Sequence, residues 1–231
     1  DAMKRYSRTA VLVFVLTLLL GASACERSER ADESLVPEDE EPPQIVVAQA
    51  QIDYLRNGTM DTLRVRMTDG QVIDEPEPGP YAGRYYEGQF QLELIDDQGL
   101  PVHVLDLAPT FGTQSLVFME NRSFEIAFED YNEDGFPDFT IGQYFSSNGS
   151  IYNLYTLNPQ GFSLLHQGLF TASGAHSVTY EKAADRSFIN RYYDMEKGVS
   201  TARYIWQDYR FFRIEADGAI GDLHLGIEQT E

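Results

Sequence analysis

Only one cysteine, Cys25, occurs in 231 residues, so no internal disulfide can staple the fold. Basic side chains are also scarce: 17 Lys and Arg stand against 37 Asp and Glu, a formal net charge of −20. That balance excludes nucleic acid, which requires a basic footprint, and electrostatic attachment to anionic lipid. The four histidines, His103, His166, His176 and His224, are scattered without ligand spacing. His103 and His166 fall inside strand patterns and read as structural. No nucleophile elbow, phosphate loop or dinucleotide fingerprint is present. Carboxylates are plentiful enough to assemble a glycosidase-like pair on paper, but separation in space decides that case. What remains is a chain that draws cations and basic proteins toward itself.

The N-terminus is different in character. Asp1-Ala2 precede "MKRYSRTAVLVFVLTLLLGASAC" and read as a remnant ahead of a start at Met3. Lys4, Arg5 and Arg8 form a positive region, followed by the eleven apolar-rich residues Ala10 to Leu20. That run is too short to cross a bilayer of ~30 Å as a helix but suits a secretory signal. It ends in Gly21-Ala22-Ser23-Ala24, directly before Cys25. This arrangement resembles the lipobox of bacterial lipoproteins, with Ala22 in the place usually held by leucine. The resemblance implies that residues 1–24 are removed as a signal peptide and that Cys25 receives a diacylglycerol. The protein would then be anchored to membrane, facing the extracytoplasmic side of the bacterial cell envelope. Residues 25–44 are acidic and proline-bearing and cannot bury enough apolar surface to offset ordering, which predicts a flexible tether. Losing residues 1–24 removes one acid and three bases, leaving 36 acids, 14 bases and a charge of −22.

Residues 45–231 have the length of one domain with a substantial core. Their dominant hydrophobic period is two, broken by turn signals at short intervals. "IVVAQAQIDYL" and "DTLRVRM" flank Asn57-Gly58, a strong hairpin signal. "QFQLELI" and "PVHVLDLA" flank Asp96-Asp97-Gln98-Gly99; "SFEIAFE" runs into the segment from Asp130 to Asp138, and "DFTIGQYF" runs out of it. Asn148-Gly149 and Asn158-Pro159-Gln160-Gly161 turn the chain into "SIYNLYTL" and "FSLLHQ". "HSVTYEK", "SFINRYY" and "TARYIWQDYRFFRIE" continue the strand-like pattern. The proline-bearing stretch 71–87 reads as a long surface loop, and a short helix fits around Tyr180 to Asp185. The predicted fold is mostly β: an antiparallel sandwich or a propeller-like meander. Trp206, Tyr204, Tyr209, Phe211 and Phe212 read as a sheet-core cluster ahead of a carbohydrate-stacking surface.

The sharpest motif is "DYNEDGFPD", Asp130 to Asp138. Acid or amide side chains at Asp130, Asn132, Asp134 and Asp138 alternate around Gly135. Such a group repels itself unless a cation sits among it. Calcium takes six to eight oxygens, which loops of this spacing supply from side chains at positions 1, 3 and 5 and a carbonyl at position 7. Here those are Asp130, Asn132, Asp134 and the Phe136 carbonyl; Asp138 closes the shell directly or through water. Position 12, where an EF-hand carries a bidentate glutamate, is Ile141 inside a strand pattern. The competing reading is a solvated acidic turn, in which Asp, Asn and Gly serve the backbone alone. Magnesium prefers a smaller octahedral site that keeps several waters, and no His or Cys lies nearby for zinc.

"FEDYNEDGFPDFTIGQY" resembles the calcium-binding segment of FG-GAP and VCBS repeat proteins, over about residues 124–157. No second copy of the motif occurs. The combination of lipobox, acidic tether and one such loop resembles bacterial surface lipoproteins. More distantly, it is similar to calcium-binding periplasmic lysozyme inhibitors. The resemblances imply a lipid-anchored, non-catalytic envelope protein with a mainly structural Ca2+. The alternatives are an inhibitor of lysozyme or another basic cell-wall hydrolase, and an enzyme acting on polysaccharide.

Overall fold

The computed structural model describes residues 44–214 and 220–221. The predicted signal peptide, Cys25 and nearly all of the tether lie outside the described residues, as does His224. The structure is mostly β, with every strand pairing antiparallel.

Three sheets follow one another along the chain. The first comprises β1 (Val46–Ile52), β2 (Asp61–Glu75), β3 (Gly83–Ile95), β4 (Pro101–Asp106) and β5 (Leu116–Met119). β4 pairs with the C-terminal half of β3 and β5 with its N-terminal half, on the edge opposite β2. A 3-10 turn, Ala108–Phe111, lies between them in the chain. The second sheet is β6 (Asp138–Ser146), β7 (Gly149–Asn158) and β8 (Gly161–Thr171). The third is β9 (Glu181–Ala183), β10 (Ser187–Asp194), β11 (Gly198–Gln207), β12 (Arg210–Ile214) and β13 (Ile220–Gly221). Apart from the β3–β5 pair, hydrogen-bonded neighbours are consecutive in the chain, the meander rather than the Greek-key pattern.

The second sheet lies between the other two, and side-chain parity shows how. Phe139, Ile141, Tyr155 and Leu157 join a core with Leu63, Val65, Phe90, Leu92 and Leu94 of the first sheet. Tyr152, Leu154, Leu165 and Leu169 join a separate core with Phe188, Ala202, Tyr204 and Phe211 of the third. β7 is therefore covered on both faces, which explains why "SIYNLYTL" is not a clean apolar/polar alternation. Its polar members are satisfied inside: Asn153 donates to Thr110 O at 2.8 Å and accepts from Gly168 N at 3.0 Å. Burying one Phe or Leu is worth roughly 1.5–3 kcal/mol, so the paired cores supply the stability that disulfides do not.

The structure corrects several local expectations. The stretch 71–87 is largely strand: β2 and β3 pair out to Glu75↔Gly83, leaving only residues 76–82 as loop. Its prolines, which cluster at residues 76–80, belong to the connecting loop alone and masked the strands of the ribbon on either side. Gly70 (φ +140°) faces Gly88 (φ +159°) across it, and a Cβ on Gly70 would sit 2.2 Å from Glu87 O. The Asn57-Gly58 hairpin is not tight: an eight-residue loop, Asp53 to Met60, joins β1 to β2, and the Asp53 carboxylate accepts from Asn57 N and Gly58 N. No helix forms around Tyr180 to Asp185; β9 occupies Glu181–Ala183, and Asp185 and Arg186 turn with positive φ. Residues 201–214 of "TARYIWQDYRFFRIE" are two strands joined at Asp208-Tyr209, both left-handed (φ +49° and +63°), a hairpin turn without glycine. Tyr204 and Phe211 are core, with Trp206 packed against them, but Tyr209 at that turn is 92% exposed.

Candidate metal centre

The loop between Glu129 and Asp138 is closed by one antiparallel bridge. Glu129 N donates to Asp138 O at 3.0 Å, and Asp138 N donates back to Glu129 O at 2.6 Å. Only the downstream flank is a strand. "SFEIAFE" lies extended without a ladder, although Ile126 is buried and Phe124 and Phe128 pack inward. Its period of two reports which face is covered; it does not report a strand partner.

Inside the loop, Tyr131 and Asn132 are buried while Glu133 and Asp134 are exposed. Tyr131 is 1% exposed and reaches into the second core, its ring 5.2 Å from that of Phe188. Its hydroxyl accepts from Tyr180 N at 2.8 Å, and burial pushes its pKa up to about 12. Tyr131 thus anchors the loop between Asp130 and Asn132 to the second core, and sequence reasoning passed over it. Gly135 takes φ +91°, the left-handed turn expected of it, and Glu133 is also left-handed at +56°.

The acids are folded back onto loop amides. Asp130 accepts from Asp134 N at 3.1 Å and from Gly135 N at 3.0 Å. Asp134 accepts from Phe136 N at 2.8 Å and from Asn132 Nδ2 at 2.9 Å. Asn132 Oδ1 accepts from Asp134 N at 3.2 Å. Among the described residues, no three Asp, Glu, His or Cys side chains converge as a preformed ligand group. The amide bonds use only part of each carboxylate's capacity, since two oxygens offer about four lone-pair sites.

Asp138 is the member that the protein does not satisfy. It is fully buried; Oδ2 accepts from Tyr131 N at 2.9 Å, while Oδ1 is buried with no partner. Burial pushes its pKa up to about 7; the hydrogen bond from Tyr131 N and the nearby Thr156 hydroxyl, which itself donates to Pro137 O at 3.4 Å, oppose the rise, and the charges of Asp134 and Asp130 add to it. The cations within reach are weak. Arg56 approaches Asp130 at 3.9 Å but is 67% exposed, and Lys182 is 3.6 Å from Glu129, outside the alternating set. Exposed pairs of this kind contribute little, about 0–1 kcal/mol. An orphaned buried oxygen, an all-oxygen donor set and a pre-turned glycine fit a hard cation. Asp130, Asn132, Asp134, Asp138 and the Phe136 carbonyl would hold it, and the ion would supply the charge that the protein withholds.

The three described histidines sit elsewhere. His176 is buried, accepts from Met119 N at 2.8 Å and packs against Phe118 and Phe124; burial lowers its pKa to about 4. His103 meets Tyr54 edge-on and His166 meets Tyr204 edge-on. No protein-family model, curated protein or solved structure matches this chain.

Proposed function

We propose that the protein is a calcium-binding, lipid-anchored component of the bacterial cell envelope. In this reading it is non-catalytic, its ion is mainly structural, and Cys25 carries the anchor. The observation that supports the ion most directly is the unpartnered Oδ1 of the fully buried Asp138. A buried charge without a partner costs several kcal/mol, and a cation among Asp130, Asn132, Asp134 and Phe136 O removes that cost. Oxygen-only donors select calcium over zinc, and a loop of flexible ligand count selects it over magnesium. The acidic surface suits a basic envelope partner such as a cell-wall hydrolase.

Chelator-stripped protein titrated with calcium, then with magnesium, tests the ion by calorimetry. Calcium should bind in the range ~10⁻⁴–10⁻³ M or tighter, magnesium more weakly, and Asp134→Ala should abolish the heat. No calcium heat from wild type would reduce the loop to an acidic turn. Membrane fractionation of Cys25→Ala tests the anchor: the variant should leave the membrane fraction, and retention there would remove lipidation from the reading.

A further inference from the structure

Beside the turn between β6 and β7 lies an open cleft of about 550 Å³, within the range of ~300–1,000 Å³ typical of small-molecule sites. Its walls come from Gly79 and Pro80 of the loop between β2 and β3, Arg122, Tyr144, the Ser146–Ser150 segment and residues 172–174 that follow β8. Among the described residues no carboxylate lines it, although the chain carries 37, and Arg122 is the one charged side chain that does. The local charge is therefore opposite to that of the whole molecule.

The cleft is rich in hydrogen-bond donors. Arg122 gives Nη2 to Pro80 O at 3.3 Å and lies over the Tyr144 ring at 5.1 Å. No Asp or Glu pairs with it among the described residues. A guanidinium has five N–H groups, so most of its donors stay available, and the ring beneath fixes the plane of the fork. Ser146 Oγ accepts from Asn148 N at 3.2 Å, and Ser173 Oγ accepts from Ala175 N at 3.2 Å. A hydroxyl used as an acceptor keeps its own O–H to donate. Ser147, exposed at the turn, adds a further hydroxyl.

We propose that this cleft binds a small acidic saccharide of the uronic-acid type, with its carboxylate on Arg122 and its hydroxyls on Ser146, Ser173 and Asn148. A planar carboxylate matches the guanidinium fork with two parallel hydrogen bonds. A bare anion would fill only a corner of the cleft and leave the serines unused. The site is separate from the acidic loop, and the proposal does not depend on a metal there.

The test is calorimetric titration of the purified full chain with glucuronate, glucose and inorganic sulfate. Glucuronate should bind, with glucose weaker by roughly tenfold or more, the value of a charge-assisted contact. Arg122→Gln should weaken glucuronate by a similar factor. Because Arg122 also holds Pro80 O, a second variant isolates the electrostatics: Ser147→Asp should weaken glucuronate several-fold while Ser147→Ala does not. The proposal is overturned by no glucuronate binding at millimolar concentration, by equal affinity for glucose, or by binding that survives both Arg122→Gln and Ser147→Asp. Binding of sulfate alone would leave a simple anion site and overturn it as well.

Discussion

Two carboxylates are buried among the described residues of this domain, and they are treated in opposite ways. Glu93, on the outer face of β3, is 2% exposed and lies between two arginines of β2. Arg64 Nε reaches Oε2 at 2.6 Å, and Arg66 Nε reaches Oε1 at 2.7 Å. Burial alone would raise the Glu93 pKa; the hydrogen bonds from Arg66 and Arg64, with their charges, outweigh it and hold it below the usual range. Asp138 is buried just as deeply, but its charged neighbours are Asp130 and Asp134, and one oxygen has no partner. In the first sheet the counter-charges are encoded two residues apart on the neighbouring strand, where cross-strand geometry delivers them without adjustment. At the loop the sequence encodes more acid in place of a base. A domain that can build the first arrangement and yet carries the second leaves room for a cation from solution.

The largest effect should come from removing the cations of the satisfied site. Arg64→Met with Arg66→Met leaves Glu93 buried and unpaired, and urea unfolding at neutral pH should show a loss of about 3–5 kcal/mol. Adding Glu93→Met should restore most of it, because well-packed apolar replacements of buried ion networks are often neutral. A double variant as stable as wild type would mean that water already screens Glu93, and the contrast with Asp138 would fail.

Acidification separates the buried groups by sign. His176, folded pKa about 4 against 6.5 for the free side chain, is neutral in the fold and protonated in the unfolded chain between those values. Its contribution is present above pH ~6.5 and is lost as pH falls toward ~4, by about 3 kcal/mol at full amplitude. Comparing wild type with His176→Gln in chelator should show the two curves converging across that window as the pH is lowered. Asp138 runs the other way in chelator. Its folded pKa, about 7, lies above 3.8, so its unfavourable charge is relieved as pH falls through 7 toward 4. The gap between Asp138→Asn and wild type should narrow in that direction. A gap that widens would mean that Asp138 is already paired.

Calcium should convert the second site into something like the first. At a hundredfold excess over the dissociation constant the gain is ~2.7 kcal/mol, or roughly 5–10 °C in Tm for a domain of this size. Asp138→Asn should lose this gain, yet in chelator it should match or exceed wild type because the unpaired charge is gone. If Asp138→Asn is less stable than wild type in chelator and still responds to calcium, Asp138 is not the residue that the ion relieves.

The period-two reading located the β class and most strand positions, because alternation reports directly which face is covered. It could not distinguish covered strands from covered extended chain. "SFEIAFE" alternates correctly yet has no ladder, and "HSVTYEK" is held partly by the Thr140 hydroxyl, which takes Val178 N at 2.8 Å and gives to Val178 O at 2.6 Å. The ribbon of β2 and β3 failed the reading for the reverse reason, being paired but mostly exposed, although Tyr86 packs against the first core. In the loop, the spacing around Gly135 was legible because turn chemistry is local. Tyr131 as its anchor and Asp138 Oδ1 as its unpartnered oxygen depend on chain nearly 50 residues away and on burial, neither of which a local pattern contains. Arg64, Glu93 and Arg66 were unreadable for the same cause: their contact requires the register of β2 against β3.

The smallest effect concerns the glycine that shapes the loop. Gly135 holds φ +91°, and a Cβ there would meet nothing closer than Arg56 Nη1 at 3.9 Å. Space is therefore available, and the cost of Gly135→Ala is backbone strain alone, about 1–2 kcal/mol. That cost should be the same in chelator and in calcium if the loop keeps its turn. If the turn instead relaxes to relieve the strain, the amides of Asp134 and Gly135 swing away from Asp130, and calcium affinity falls while stability in chelator is spared. Gly135→Asn, whose side chain tolerates positive φ better, should lose less in either case. Thermal melts of the two variants with and without calcium distinguish the outcomes. No loss for Gly135→Ala in both conditions would mean that the loop is not held in its turn before the ion arrives, and the Glu93 site would then be the only preorganised one of the pair.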